Sequence, residues 1–162
     1  MKRIVIFGNS GSGKSFMAGA LQREENLPHL DLDSIAWSSA SPPERRSIAE
    51  SRRDIDAFTE ANPQWVIEGC YSDLLEIAML RSSEIIFLNI PIESCISNAK
   101  KRPWEPHKYV SKEAQDANLP MLIDWIRQYT ERDDVFSKSS HMALFEHYEC
   151  KKVMVRKHEK PP

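Results

Sequence analysis

Short apolar runs alternate with longer amphipathic stretches along most of this 162-residue chain. Runs bounded by turn residues predict buried strands at Arg3 to Phe7, His29 to Leu32, Trp65 to Ile67 and Glu84 to Ile90, with a fifth at Lys152 to Val155. Helical spacing predicts helices over Lys14 to Glu24, Glu44 to Ala61, Ser72 to Arg81, Ile92 to Lys101, Pro120 to Glu131 and Ser137 to Tyr148. Alternating strands and helices imply an α/β fold whose parallel sheet is covered on both faces. Ligands of such sheets lie beyond the carboxyl ends of the strands. One stretch, residues 100–118, breaks the alternation: it is polar, carries two prolines and has no sustained period. It reads either as a functional mobile segment or as a disordered surface loop.

Composition narrows the partners. The length suits one domain with a real core, and a formal net charge of −2 leaves no footprint for direct nucleic-acid binding. No apolar run approaches a membrane span, and the opening MKRIVIF lacks the apolar region and cleavage site of a signal peptide. Cys70, Cys95 and Cys150 form no CxxC pair, which fits reduced thiols and a cytoplasmic location. The five histidines form no HExxH cluster. A small-molecule partner is the expectation.

The first strand runs into Gly8-Asn9-Ser10-Gly11-Ser12-Gly13-Lys14-Ser15, a full match to GxxxxGK[ST] between a strand and a helix. Glycines let successive backbone N–H groups turn inward around an anion, and the helix N-terminus adds partial positive charge. Gly8 to Phe16 therefore read as the nucleotide cradle, Lys14 as the cation for the β- and γ-phosphates, and Ser15 as a Mg²⁺ ligand. ATP and Mg²⁺ are the expected cofactors.

Other strand ends supply acids. Strand alternation places Asp31 and Asp33 on one side, Asp31 towards a metal and Asp33 towards an acceptor as orienting group or base; Asp33 reads equally as a helix N-cap. Glu68, after the third strand, occupies the position of a metal-shell acid, and Gly69 would let backbone approach a ligand. On a helix from Glu44, the apolar stripe is Ile48, Ile55 and Phe58; Arg46 and Arg53 lie opposite it. Arg45 and Arg52 border the stripe, free to face an anionic acceptor or to pair with Glu44 or Asp56. The fourth strand is not followed by NKxD, which disfavours a guanine-specific switch.

GNSGSGKS, the DLD pair and WVIEG together resemble the adenylate-kinase-like P-loop kinases, with shikimate and gluconate kinases as relatives. With HLDLDSIAW, WVIEGCYS, EIIFLNIP and DWIRQYTER added, the chain is similar to bacterial DNA topology modulation proteins. The resemblance implies a three-layer P-loop fold with a five-stranded parallel sheet in the order 2-3-1-4-5, and an arginine-bearing helical lid at about 102–118. It makes Arg102, Arg127 and Arg132 the lid cations. Met121, Leu122, Trp125 and Tyr129 form the expected core face of the helix from Pro120. Two departures stand out: Glu68 replaces the usual Asp, and Cys70-Tyr71-Ser72 carries no arginine, which weakens a nucleoside monophosphate as acceptor. The chain thus reads as an ATP-dependent small-molecule kinase, with a regulatory NTP-binding protein as the rival.

Overall fold

The computed structural model describes residues 1–158. It comprises β1 (Arg3–Gly8), α1 (Lys14–Glu25), β2 (His29–Asp31), α2 (Asp33–Ala36), α3 (Ile48–Ala61), β3 (Trp65–Gly69) and α4 (Ser72–Met79). These are followed by β4 (Glu84–Leu88), α5 (Ile92–Lys101), α6 (Lys112–Arg127), a 3₁₀ turn (Gln128–Thr130), α7 (Lys138–His147) and β5 (Lys151–Val155). All neighbouring strands pair in parallel, in the order β2-β3-β1-β4-β5, as expected.

Alternation along β1 divides the core. Val5 and Phe7 pack with Ile67, Leu74, Leu75 and Phe87 beneath α4 and α7. Ile4 and Ile6 face the opposite layer, with Ala18 of α1, Cys95, Ile96 and Ala99 of α5, and Ile126 of α6. Both faces of the central strand are buried, so β1 is a rigid base for the loop that follows it.

Three local expectations are corrected. Residues 112–118 are helical: Ser111 caps α6 by accepting from the Ala114 N–H at 3.0 Å, and the helix runs through Pro120. Leu119, Leu122, Ile123 and Ile126 are the positions that pack inward, while Met121 is 71% exposed. The irregular connection is therefore only residues 102–111. Second, α3 begins at Ile48, where Ser47 accepts from the Glu50 N–H. Residues 44–47 precede the helix, and Arg45 bridges to Trp37, so a helical wheel does not place Arg45 or Arg46. Arg46 is half-buried, donating to the Ile35 carbonyl at 2.8 Å and pairing with Asp54. Third, β2 ends at Asp31 and Asp33 opens α2. The two acids are brought together by a turn, with the Asp33 N–H donating to Asp31 Oδ1 at 2.9 Å.

Candidate active site

The loop between β1 and α1 forms a closed concave turn. The Ser12 N–H donates to the Asn9 carbonyl at 3.1 Å, and the buried Asn9 side chain donates to the Ile126 carbonyl at 3.2 Å. Asn98 of α5 donates to the Gly11 carbonyl at 2.8 Å and lies 3.3 Å from the His158 ring. Gly11 sits at φ 79°, and a Cβ there would meet the Cys95 carbonyl oxygen at 2.4 Å. Gly13 sits at φ 95° with His158 against it. Both positions need glycine, for left-handed backbone and for lack of space. The first-turn amides of α1 have no intrahelical acceptor and face out of this loop with the positive end of the helix dipole. Lys14 Nζ arches over the loop to the Asn9 carbonyl at 2.7 Å. The Phe16 residue is 80% exposed.

Beside the loop lies a set of oxygen donors. Ser15 Oγ donates to Glu68 Oε1 at 2.9 Å, and Glu68 is buried. Asp31 stands opposite Glu68 in the β2–β3 register. His29 Nε2 is 3.5 Å from the same Glu68 oxygen, but it is not aligned as a hydrogen bond. Burial, then Glu68 and Asp33, push the Asp31 carboxyl up to about 7. Crowded acids behave this way when no cation offsets them. Among the described residues no three His, Cys, Asp or Glu side chains converge as a protein-only metal cage. One hydroxyl and two carboxylates fit Mg²⁺, which binds few protein oxygens and completes its shell with phosphate and water.

Next to Asp31, Asp33 is held at both oxygens. The buried Tyr71 hydroxyl donates to Oδ1, and Lys108 Nζ lies 3.3 Å from Oδ2. Tyr71 in turn accepts from Trp37 Nε1 at 2.8 Å, and its ring packs edge-on against Phe136. The Arg45 guanidinium lies over the same ring, 4.9 Å from its centroid, and pairs with Asp73 at 3.2 Å. Burial alone would raise the Asp33 carboxyl. Lys108, the Tyr71 hydroxyl and Lys14 outweigh it, and the net shift is downward. Asp33 is thus kept ionised, with its side chain 43% exposed.

The remaining arginines are placed elsewhere. Arg52 is exposed near Asp56, and Arg102 pairs with Glu105 at 3.3 Å. Arg127 is exposed beside Asp124. Arg132 stacks 3.4 Å from the Trp125 ring centroid and binds Asp134 through Nε. Gly69 serves packing: the space of its missing Cβ is taken by Leu32 at 2.8 Å. Sequence reasoning missed Tyr71, Trp37, Lys108, Asn98 and His158. Only Tyr71, two residues beyond Gly69 at a strand end, carried a local signal.

No family model matches the chain. It is 23% identical over 149 residues to the uncharacterized protein YqaC of Bacillus subtilis (strain 168), covering 91% of this chain and 82% of that one. Among solved structures, the shikimate kinase of Aquifex aeolicus superposes with a TM-score of 0.52 at 21% identity, over 99% of this chain and 88% of that one. A sugar kinase from Janibacter sp. HTCC2649 gives 0.52 at 13% identity, over 96% and 85%. The chain has the fold of small-molecule kinases. A gluconokinase from Sinorhizobium meliloti 1021 gives 0.51 at 15% identity, over 98% and 84%. At these identities the likeness speaks for the fold, and the chemistry has to be argued from the side chains.

Proposed function

We propose that this protein is a cytoplasmic kinase that transfers the γ-phosphoryl group of ATP to a hydroxyl or phosphate of a small molecule. The observation that carries this reading is the pairing of a complete phosphate cradle with an ionised Asp33 beside the Asp31–Glu68 set, held by Tyr71 and Lys108. A nucleotide switch needs the cradle; it has no use for a further ionised carboxylate held by Tyr71 and Lys108.

Lys14 and the loop amides bind the β- and γ-phosphates. Ser15, Asp31 and Glu68 would hold Mg²⁺, whose charge neutralises the phosphate oxygens in transfer. Asp33 orients an acceptor hydroxyl and takes its proton as the new oxygen–phosphorus bond forms. The bond from the γ-phosphorus to the bridging oxygen breaks, and its electron pair leaves on ADP. Arg45 is a further candidate for an anionic part of the acceptor. Residues 102–111 act as the lid, with Arg102 and, beyond it, Arg127 and Arg132 as cations that closure would recruit; mobile charges of this kind exclude water as well as stabilise transfer. We also group the chain with the topology modulation proteins, on the stretches quoted above.

The test is a panel of hydroxylated metabolites, screened by thermal shift with a non-hydrolysable ATP analogue and Mg²⁺. Hits are then assayed for acceptor-dependent ADP release and a phosphorylated product. DNA- or protein-stimulated hydrolysis with no such product would select the regulatory rival instead.

A further inference from the structure

Asp33 has two oxygens, and the two partners that hold them differ in kind. Tyr71, on Oδ1, is buried, and its position is set by Trp37, Phe136 and Arg45. Lys108, on Oδ2, comes from the irregular connection between α5 and α6, 75 residues away in the chain. Its ammonium is shared with Glu105 at 3.6 Å. That connection is held together locally. The Lys108 and Tyr109 N–H groups donate to the Glu105 carbonyl, Gln115 accepts from the Glu105 N–H at 2.8 Å, and Asn118 donates to the Tyr109 hydroxyl at 2.7 Å. Lys108 is therefore presented to Asp33 by a small folded unit and does not reach it as a free surface chain. Its side chain is 28% exposed, against 49% for Lys112 four residues on.

Oδ1 accepts from the buried tyrosine and Oδ2 from the loop lysine. Each oxygen has a second lone pair, so an acceptor hydroxyl or water can reach Asp33, but at Oδ2 it must compete with the ammonium. We propose that Lys108 is a specificity residue that decides between acceptor and water: it holds Asp33 Oδ2 until an acceptor displaces it, and so suppresses hydrolysis of bound ATP. The inference rests on the kinase reading above. Transfer and hydrolysis share one bond change, the γ-phosphorus parting from the bridging oxygen with the electron pair leaving on ADP. They differ in whether the acceptor's or water's oxygen forms the new bond and gives its proton to Asp33. A lysine ion-paired to that carboxylate competes with both. A bound acceptor offers further contacts to the cleft and can compete for the oxygen, whereas one water cannot.

Two measurements test it. Acylation of the intact protein with acetic anhydride, read by peptide mass spectrometry, compares Lys108 with Lys112. Lys108 should react several-fold more slowly in the parent, and the difference should shrink at least threefold in Asp33→Asn. An unchanged ratio overturns the contact. ADP release from Mg·ATP in water then tests the consequence. Lys108→Met should raise it about fivefold, as expected when an exposed ion pair no longer competes, and Lys108→Arg should keep the parent rate. In the Asp33→Asn background, Lys108→Met should change nothing. An unchanged or lower rate in Lys108→Met, or a rise that survives Asp33→Asn, overturns the proposal while leaving the kinase reading intact. Failure of the parent to bind ATP at all would remove that reading, and this inference with it.

Discussion

The two walls of the cleft are built in opposite ways. The phosphate wall is one continuous stretch, Gly8 to Ser15, fixed to a strand buried on both faces and cross-tied by Asn9 to α6 and Asn98 to α5. The acceptor wall is assembled from four places: Asp33 on α2, Trp37 just after it, Tyr71 beyond β3 and Lys108 in a loop. Under the proposed function the contiguous cradle serves ATP. An assembled wall can change one segment at a time, which is what a variable acceptor requires. The expected consequence is that damage to the first wall removes ATP, and damage to the second removes only its use.

The largest effect should come from the second wall. Asp33→Asn is expected to slow acceptor-dependent ADP release by about 10²- to 10⁴-fold, the usual range for a lost general base. Direct titration should find ATP affinity unchanged; equal losses in both would place Asp33 with the metal ligands. Lys14→Ala should lower transfer by about 10²- to 10³-fold, as for one lost donor to transition-state charge. It should weaken ATP binding as well, and leave the unfolding midpoint in place.

A third expectation concerns the support beneath both walls. His141 is buried against Phe7 and Phe87, and its two ring nitrogens engage Tyr129 and the Cys70 carbonyl at 2.8 Å each. Nε2 must carry the proton that the carbonyl accepts, so Nδ1 accepts from the tyrosine and the ring is neutral. Burial lowers its pKa to about 4 from 6.5. The unfolded chain therefore binds this proton first, and stability falls as pH drops below 6.5 towards 4, by about 2 kcal/mol at pH 5. The raised Asp31 carboxyl runs in the opposite direction, so the His141 contribution is the difference in urea stability between the parent and His141→Phe at pH 7 and pH 5. No difference in slope would mean that His141 is charged or exposed.

Smaller effects separate the walls by motion. Amide exchange at Lys108 and Tyr109, whose N–H groups donate to the Glu105 carbonyl, should be slow in the free protein and with an ATP analogue and faster with acceptor added, as Lys108 leaves Asp33, while residues 112–127 stay protected throughout as part of α6. Equally slow exchange in all three states would make the connection a fixed loop. Arg52→Ala should change acceptor-dependent ADP release less than twofold, because an exposed i,i+4 partner of Asp56 contributes little. A tenfold loss would bring Arg52 into the acceptor wall.

The same contrast explains what the sequence made legible. The strands and the cradle follow from local signals, apolar runs and a glycine-rich turn that name their own structure, whereas the sheet order follows from the family resemblance. The α6 boundary was hidden because Pro120 reads as a helix start and residues 112–118 show little apolar period; the Ser111 cap and the burial of Leu119, Leu122 and Ile126 extend the helix across both. Tyr71, Trp37 and Lys108 were hidden for a deeper reason. Each is ordinary in its own segment and acquires a role only through side chains distant in the chain. Gly69 shows the converse, a glycine that looks functional but makes room for Leu32.

Calorimetric titration of a non-hydrolysable ATP analogue with Mg²⁺ into the parent, Lys14→Ala and Asp33→Asn tests the division of the cleft most directly. The account predicts affinity lowered at least tenfold in Lys14→Ala and equal to the parent in Asp33→Asn. Parent-like binding by Lys14→Ala, or an equal loss in both variants, would contradict it.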